Sequence, residues 1–408
     1  MNVAFKTFGC RLNLAESLDM KAAFEAAGHR VVAMPQPNCA ADAHDAPDWI
    51  IVRGCSVTAR AQRDCEKEIA KLARLFPSAK IWRTGCLAGA EKIPVPETTL
   101  TGTDPAPPLG TVPMETSRAY LKVQDGCGGR CAFCIVPQFR GAPVSVPFPQ
   151  VMARASAFIA AGYRELVVTG CNLSLYRDSG HGLPQLLAAL ADIAPAPGSS
   201  PVHRVRIGSI EPGICDKALV DAIAAHPNIC PFLHISLQSA SPSVLKRMNR
   251  PYTIDAVARL CAEARCRIGP HFALGADVIA GFPGEAQSDF AATLSFLREI
   301  PFTHIHAFPF SERPGTPAAS MPSAMPRAIR LERARELNLA ARELNAAFAR
   351  SFIGSTVEVC VEAGGLEGRT AEYLVCRLST PAPRRSLVKA KVAGVDKAGN
   401  LLAHTCMT

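Results

Sequence analysis

Near its start the chain alternates short apolar runs with amphipathic stretches. The runs at 3–8, 48–55 and 79–86 have the length and composition of strands, and apolar residues recur at helical spacing over 14–29 and 63–76. Strands that alternate with helices form parallel sheets, so this part is predicted to be a small α/β domain. The strands end close to Cys10, Cys55 and Cys86, and strand ends of a parallel sheet meet at one edge.

A longer series of strand and helix patterns follows residues 93–113, whose proline, threonine and glycine content indicates a linker. Six strands are predicted, at 120–125, 165–170, 204–209, 232–237, 273–281 and 303–310. With their helices they make a partial (β/α)6 barrel whose active face lies at the carboxyl ends of the strands. A charged helix over 326–352 then precedes short alternating strands, which predict a small β-barrel. The fold class is therefore α/β, with domains at 1–112, 113–348 and 349–408.

The composition places the chain among globular proteins, with 48% hydrophobic and 19% charged residues. No apolar run is long enough to span a bilayer, and the first residues do not resemble a signal peptide, so we expect a cytoplasmic protein without a membrane partner. Residues 327–408 contain thirteen Lys and Arg against eight Asp and Glu. This surplus suits RNA, and it is equally compatible with an ordinary solvated surface.

Three of the sixteen cysteines are closely spaced in the segment QDGCGGRCAFCIVP, which carries Cys127, Cys131 and Cys134. A four-iron cluster normally takes four thiolates, so three leave one iron open. Zinc would require a fourth ligand nearby, and 120–145 holds no further Cys or His. An iron–sulfur cluster is therefore favoured over a zinc knuckle or three core thiols, with Phe133 shielding it from solvent.

The segment QDGCGGRCAFCIVPQFRG resembles the signature of the radical S-adenosylmethionine (radical SAM) superfamily and, in particular, of its methylthiotransferase branch. Further blocks resemble that branch in the same order: RIGSIEP, HISLQSAS, LKRMNRPYT, ADVIAGFPGE and HAFPFSERPGTPAA. The resemblance implies that S-adenosylmethionine binds the open iron and is cleaved to a 5′-deoxyadenosyl radical. Glu211, Ser236 and Gln238 are the predicted contacts to this cofactor, although polar residues at strand ends are often only architectural.

Cys10, Cys55 and Cys86 lie far apart in sequence, and alone they would be assigned to the core. The resemblance implies that they hold a second four-iron, four-sulfur cluster whose open iron carries the transferred sulfur. Two features depart from the family: Arg53-Gly54 replaces the usual Asn-Thr, and segment 87–119 is short. The other ten cysteines, Cys39 and Cys171 among them, lack ligand spacing and are interpreted as core or surface thiols.

The motif TFGCRLN resembles the subgroup that acts on N6-threonylcarbamoyladenosine at tRNA position 37. This implies methylthiolation at carbon 2, with one S-adenosylmethionine as radical source and another as methyl donor. The implied partners are tRNA and a flavodoxin- or ferredoxin-like electron donor, and a monomer is expected. Three alternatives remain: tRNA isopentenyladenosine as substrate, a ribosomal-protein aspartate as substrate, or a zinc-containing RNA-binding protein.

The last domain resembles a TRAM module, a small RNA-binding barrel. Its basic side chains are candidate phosphate contacts, and Tyr373 is a candidate for stacking on a base. For any single residue a solvated barrel surface is the simpler interpretation. The basic residues are Arg369, Arg377, Arg384, Arg385, Lys389 and Lys391.

Overall fold

A computed structural model of the chain describes residues 1–34, 46–87, 115–194, 203–214, 217–300 and 302–406. The linker predicted at 93–113 lies outside the described residues, as do the boundary at 112/113 and Cys39.

The N-terminal part is a parallel sheet in the order β2-β1-β3-β4 with two helices. Its elements are β1 (Asn2–Thr7), α1 (Arg11–Ala26), β2 (Arg30–Val32), β3 (Trp49–Cys55), α2 (Ala59–Leu75) and β4 (Lys80–Cys86). The predicted α/β fold is confirmed. The pattern missed β2, which is only three residues long, and α2 begins four residues earlier than predicted because the Thr58 hydroxyl accepts a hydrogen bond from the Ala61 N–H at 3.1 Å.

The central part is built on six strand positions that match the predicted ones. They are β5 (Ala119–Lys122), β8 (Glu165–Thr169), β11 (Arg204–Ile207) with its continuation β12 (Ser209–Ile210), β13 (Phe232–Gln238), β14 (Ala273–Ala280) and β15 (His304–Pro309). The third position is interrupted at Gly208, so β11 pairs with β8 while β12 pairs with β13, all in parallel. A Cβ at Gly208 would lie 2.7 Å from the Val168 carbonyl oxygen, which explains the glycine. The result is the expected open, partial barrel.

Helices and short strands complete this part. The helices are α3 (Val136–Arg140), α4 (Phe148–Ala160), α5 (Leu183–Ala191), α6 (Lys217–Ala225), α7 (Pro242–Arg247), α8 (Ile254–Ile268), α9 (Gln287–Glu299) and α10 (Arg327–Arg350). The short strands are β6 (Gln124–Asp125), β7 (Val144–Ser145), β9 (Arg177–Asp178) and β10 (His181–Gly182). No helix in the described ranges has both the length and the apolar character needed to cross a membrane.

The C-terminal part is a closed five-stranded barrel in the order β16-β17-β18-β20-β19. Its strands are β16 (Thr356–Val361), β17 (Glu367–Thr370), β18 (Val375–Leu378), β19 (Leu387–Val395) and β20 (Leu401–Thr405). The predicted barrel is confirmed, but its pattern omitted β17, whose sequence EGRT has no apolar alternation. Gly368 permits the close pairing there, since a Cβ would come within 2.2 Å of the Cys360 carbonyl oxygen.

A buried ion cluster fixes this barrel to the central sheet. Glu165 is fully buried and accepts hydrogen bonds from Arg204 and Arg206, each at 2.7 Å. The same guanidinium groups donate to backbone carbonyls of the barrel, Arg204 to Arg369 at 2.6 Å and Arg206 to Thr370 at 2.8 Å. The pair of arginines thereby holds the β17–β18 turn, which carries Tyr373, over the open end of the partial barrel.

Candidate active site

The loop after β6 gathers the first cysteine set. A Cβ on Gly129 would lie 3.2 Å from the Cys127 Sγ and 3.8 Å from the Cys131 Sγ, so both sulfurs surround this glycine. The Cys134 N–H donates to the Cys131 carbonyl at 3.1 Å and closes the turn. Gly126, with φ +67°, passes so near Ala142 that a Cβ would overlap the carbonyl oxygen at 2.0 Å. The loop therefore brings the Cys127 and Cys131 sulfurs to the same glycine and holds Cys134 in the adjoining turn, an arrangement compatible with one cluster.

Arg250 connects this set to two of the predicted cofactor contacts. Its Nη1 lies 3.0 Å from the Cys131 Sγ and 3.2 Å from the Glu211 carboxylate, and its Nη2 donates to the Ser236 carbonyl at 3.0 Å. Glu211 also accepts from the Asn172 side-chain amide at 3.0 Å. Glu211 is thus placed beside the cysteine loop, and Ser236 contributes its backbone carbonyl. Arg250 was missed in the sequence, although it stands in the block LKRMNRPYT.

The other two predicted residues line the cavity in front of the loop. Gln238 adopts φ +62° at an irregularity in β13, where the pairing register with β14 shifts. Phe133 packs edge-on against Phe282, with ring centroids 6.5 Å apart. Their roles toward a cofactor stay predictions.

The second cysteine set meets at the carboxyl edge of the N-terminal sheet. Cys55 and Cys86 are the last residues of β3 and β4 and stand directly opposite each other in the register. Cys10 caps the start of α1, and the preceding Gly9 has φ +96°. A Cβ on Gly9 would lie 2.7 Å from the Cys55 Cβ, so glycine allows the β1–α1 turn to approach β3. The structure brings these three cysteines together.

Burial raises the pKa of four thiols in the two cysteine sets. Desolvation raises the pKa of Cys55 and of Cys134 to about 11. It also raises the pKa of Cys86 and of Cys131, against the opposing effect of one arginine at each thiol: the Arg140 Nε lies 2.9 Å from the Cys86 Sγ. The arginines alone leave the pKa of both thiols raised, and bound iron would supply the further positive charge that stabilises the thiolates. The donor sets therefore suit iron–sulfur clusters.

A buried polar network links the second cysteine set to the segments on either side of the first cysteine loop. Arg140 contacts the Glu16 carboxylate at 2.9 Å and Asp125 at 3.0 Å, and Lys122 reaches Glu16 at 2.7 Å. Burial would raise the pKa of Glu16, but Arg53, Lys122 and Arg140 hold it well below its ordinary value. Arg53, the departure from the family pattern, forms an ion pair with Glu16 and is itself buried. Arg53 is therefore part of the buried ion-pair network that packs beside the second cysteine set.

Cys171 lies at the edge of this network. Its thiol donates to the Asp125 carboxylate at 3.4 Å, and burial raises its pKa. It is hydrogen-bonded as a thiol within the described structure.

One cavity of about 730 Å³ lies between the two cysteine sets. The N-terminal sheet contributes Cys10, Arg11 and Cys55 to its wall, and the first cysteine loop contributes Cys134. Residues of β13, β14 and β15 form another side, and Tyr373 of the C-terminal barrel closes it. All three parts of the chain thus face a single chamber of the size of a small-ligand site.

A cluster of His234, Asp277 and His306 on three adjacent strands also lines the cavity, and sequence reasoning did not assign it. The Asp277 carboxylate lies 3.1 Å from the His234 Nε2 and 3.3 Å from the His306 Nδ1. Burial would raise the pKa of Asp277, but the hydrogen bonds from both imidazoles hold it well below its ordinary value. Two imidazoles and a carboxylate can bind polar groups of a substrate, and the same set suits a divalent transition metal.

Two of the candidate phosphate contacts in the C-terminal barrel form hydrogen bonds within the protein, and two others are exposed. Arg384 and Arg385 donate to Ser117 and Thr116, both at 3.0 Å, while Lys389 and Lys391 are exposed on β19. Tyr373, the candidate for stacking on a base, packs its ring on Phe232 with centroids 5.1 Å apart and lines the cavity, and its role toward RNA stays a prediction.

Comparison with known proteins agrees with this arrangement. The radical SAM superfamily matches residues 121–297, and the uncharacterized protein family UPF0004 matches residues 2–100. The threonylcarbamoyladenosine tRNA methylthiotransferase MtaB of Thermotoga maritima is 32% identical over 403 residues, which cover 91% of this chain and 89% of the relative. The ribosomal protein uS12 methylthiotransferase RimO of Chloroflexus aurantiacus is 30% identical, covering 92% and 91%. Among solved structures, the radical S-adenosylmethionine methyltransferase TsrM of Kitasatospora setae shares the fold, with a TM-score of 0.53, 15% identity and coverage of 78% and 75%.

Proposed function

The chain belongs to the radical SAM methylthiotransferase family, and we propose that it converts N6-threonylcarbamoyladenosine at position 37 of tRNA to the 2-methylthio derivative. Relatives named for this substrate match at 31–33% identity over most of the chain. A relative named for a ribosomal protein matches nearly as well, so identity alone does not select the substrate.

One observation carries the methylthiotransferase chemistry: Cys10 and Cys55 from one set and Cys134 from the other line the same cavity. Methylthiolation needs a radical source and a sulfur source that act on the same carbon atom. A single chamber between the two cysteine sets meets this requirement, because a substrate held there lies within reach of both. Direct placement of reacting groups removes much of the entropic cost of bringing them together.

We assign Cys127, Cys131 and Cys134 to the cluster that binds S-adenosylmethionine, and Cys10, Cys55 and Cys86 to the second cluster. When bound, these cofactors supply the radical, the sulfur and the methyl group. The chain's own residues position and protect them. Arg250 donates to the Cys131 sulfur and holds Glu211 beside it, while Phe133 and Phe310 in the cavity wall help to exclude water.

The substrate assignment is tested by nucleoside analysis of tRNA from a strain in which this gene is deleted. We expect the 2-methylthio derivative of N6-threonylcarbamoyladenosine to disappear and the unthiolated nucleoside to accumulate. The wild-type gene should restore the derivative, and a Cys55→Ala gene should not. An undiminished level of this derivative in the deletion strain rejects the substrate. Loss of the methylthio-isopentenyl nucleoside, or a mass change in a ribosomal protein, identifies the alternative.

A further inference from the structure

Arg11 is a cation in the cavity wall, directly after Cys10. Its guanidinium carbon lies 5.1 Å from the centre of the Tyr373 ring, and its Nη2 donates to the Tyr373 hydroxyl. In the described part of the chain no carboxylate lies within ion-pair distance of it. A guanidinium has five N–H donors in a planar fork, so one bond to a hydroxyl leaves most of its binding capacity for a ligand.

Two further guanidinium groups lie beside Tyr373 behind this end of the cavity, and Glu165 compensates the charge of one of them, Arg206. Arg206 and Arg369 also lie over the Tyr373 ring, each with its guanidinium carbon 5.0 Å from the ring centre. Burial would raise the pKa of Tyr373, but Arg11 and the neighbouring arginines hold it below its ordinary value. Burial and the nearby cations hold the pKa of His304 at about 3, so this imidazole is uncharged at neutral pH. This end of the cavity therefore favours an anionic group of a ligand.

The opposite charge in the cavity is already compensated. Asp277 is hydrogen-bonded by His234 and His306, and it therefore does not need Arg11 as a partner. The cavity consequently offers an anion-binding side at Arg11 and a hydrogen-bonding side at Asp277. A ligand with one terminal negative charge and several neutral polar groups fits this division.

We propose that Arg11 binds the carboxylate of the threonylcarbamoyl arm and thereby selects this nucleoside among adenosines. This inference rests on the proposed function. The arm is attached at N6 and the reacting carbon is C2, so both belong to the Watson–Crick edge of adenine and must enter the same chamber. An arm whose carboxylate meets Arg11 is anchored next to Cys10, while an isopentenyl arm has no charge for the guanidinium to bind. Arginine binds carboxylates through two parallel hydrogen bonds, which gives orientation as well as affinity.

Tyr373 acts as a positioning residue for Arg11. Its ring packs against the guanidinium group, and its hydroxyl accepts one N–H of Arg11. These two contacts fix the orientation of the N–H groups that remain for a ligand. The residue comes from the C-terminal barrel, so docking of that barrel completes the binding side of the cavity.

The test uses the anaerobically reconstituted holoenzyme and two forms of one tRNA, with either N6-threonylcarbamoyladenosine or unmodified adenosine at position 37. We expect Arg11→Gln to weaken binding of the threonylcarbamoylated tRNA by about tenfold or more and to leave binding of the unmodified tRNA unchanged. Tyr373→Phe should give a smaller loss with the same selectivity. Arg335→Gln is the control, because this exposed arginine on α10 lies outside the cavity lining.

A second measurement needs no variant. The free nucleoside N6-threonylcarbamoyladenosine should inhibit the wild-type reaction, and its methyl ester, which lacks the charge, should inhibit about tenfold less. An equal loss of affinity for both tRNAs in Arg11→Gln would assign this arginine to a backbone phosphate and overturn the inference. Equal inhibition by acid and ester would do the same. A wild-type enzyme that leaves N6-threonylcarbamoyladenosine unmodified instead rejects the proposed function.

Discussion

Replacing Cys134 with alanine will abolish methylthiolation and reduce 5′-deoxyadenosine formation below detection. Cys134 is half-buried in the wall of the cavity, and desolvation, with smaller effects of the neighbouring thiols, raises its pKa to about 11, so bound iron would be needed to stabilise its thiolate. In the proposed assignment, the radical-generating cluster of this variant keeps only two protein thiolates. The measurement is chromatographic detection of 5′-deoxyadenosine after anaerobic incubation with S-adenosylmethionine and dithionite.

The matched control is Cys266→Ala, which removes an exposed thiol on α8 and should leave the product yield at the wild-type level. If the Cys134→Ala enzyme forms 5′-deoxyadenosine as fast as the wild type, Cys134 is not a ligand of the radical-generating cluster.

Replacing Glu165 with glutamine will strongly destabilise the folded protein, although the two side chains have nearly the same shape. Arg204 and Arg206 are buried on either side of this carboxylate, whose pKa they hold well below its ordinary value against the opposing effect of burial. An amide leaves two buried cations without their countercharge. Breaking a buried ion pair on one side typically costs about 3–5 kcal/mol of unfolding free energy.

The free energy of unfolding is measured by urea denaturation under anaerobic conditions. Asp64→Asn serves as the control, because its ion pair with Arg60 is exposed on α2 and should leave the midpoint unchanged. A midpoint for Glu165→Gln equal to that of the control would show that the barrel does not depend on this cluster. Because the same arginines hold the turn that carries Tyr373, we also expect the barrel of the variant to be cleaved sooner by protease.

The cysteine positions could be predicted because their information is local. The spacing of Cys127, Cys131 and Cys134 defines one loop, and the strand patterns before Cys55 and Cys86 place both at the same sheet edge. Polar residues that contact these cysteines from distant positions in the sequence leave no local pattern of this kind.

Arg250 and Arg140 illustrate the difference. Arg250 is 119 residues from Cys131, and Arg140 is 54 residues from Cys86, so only the tertiary fold shows that each donates to a cysteine sulfur. The cluster around Asp277 has the same origin, because its histidines come from the two neighbouring strands.

The sequence pattern missed two short strands for another reason. The strands Arg30–Val32 and Glu367–Thr370 contain too few apolar residues to produce an alternating pattern, and pairing with their neighbours fixes them instead. Tyr373 follows the second of these strands, so its inward direction could not be read from the pattern.

The most direct measurement is the iron and acid-labile sulfide content of anaerobically reconstituted protein. Two cysteine triads that each hold a four-iron, four-sulfur cluster predict about eight irons and eight sulfides per chain. Replacing Cys127, Cys131 and Cys134 together with alanine should halve both values, and replacing Cys10, Cys55 and Cys86 should halve them independently. A wild-type content of about four irons, or an unchanged content in either triple variant, would contradict the two-cluster site.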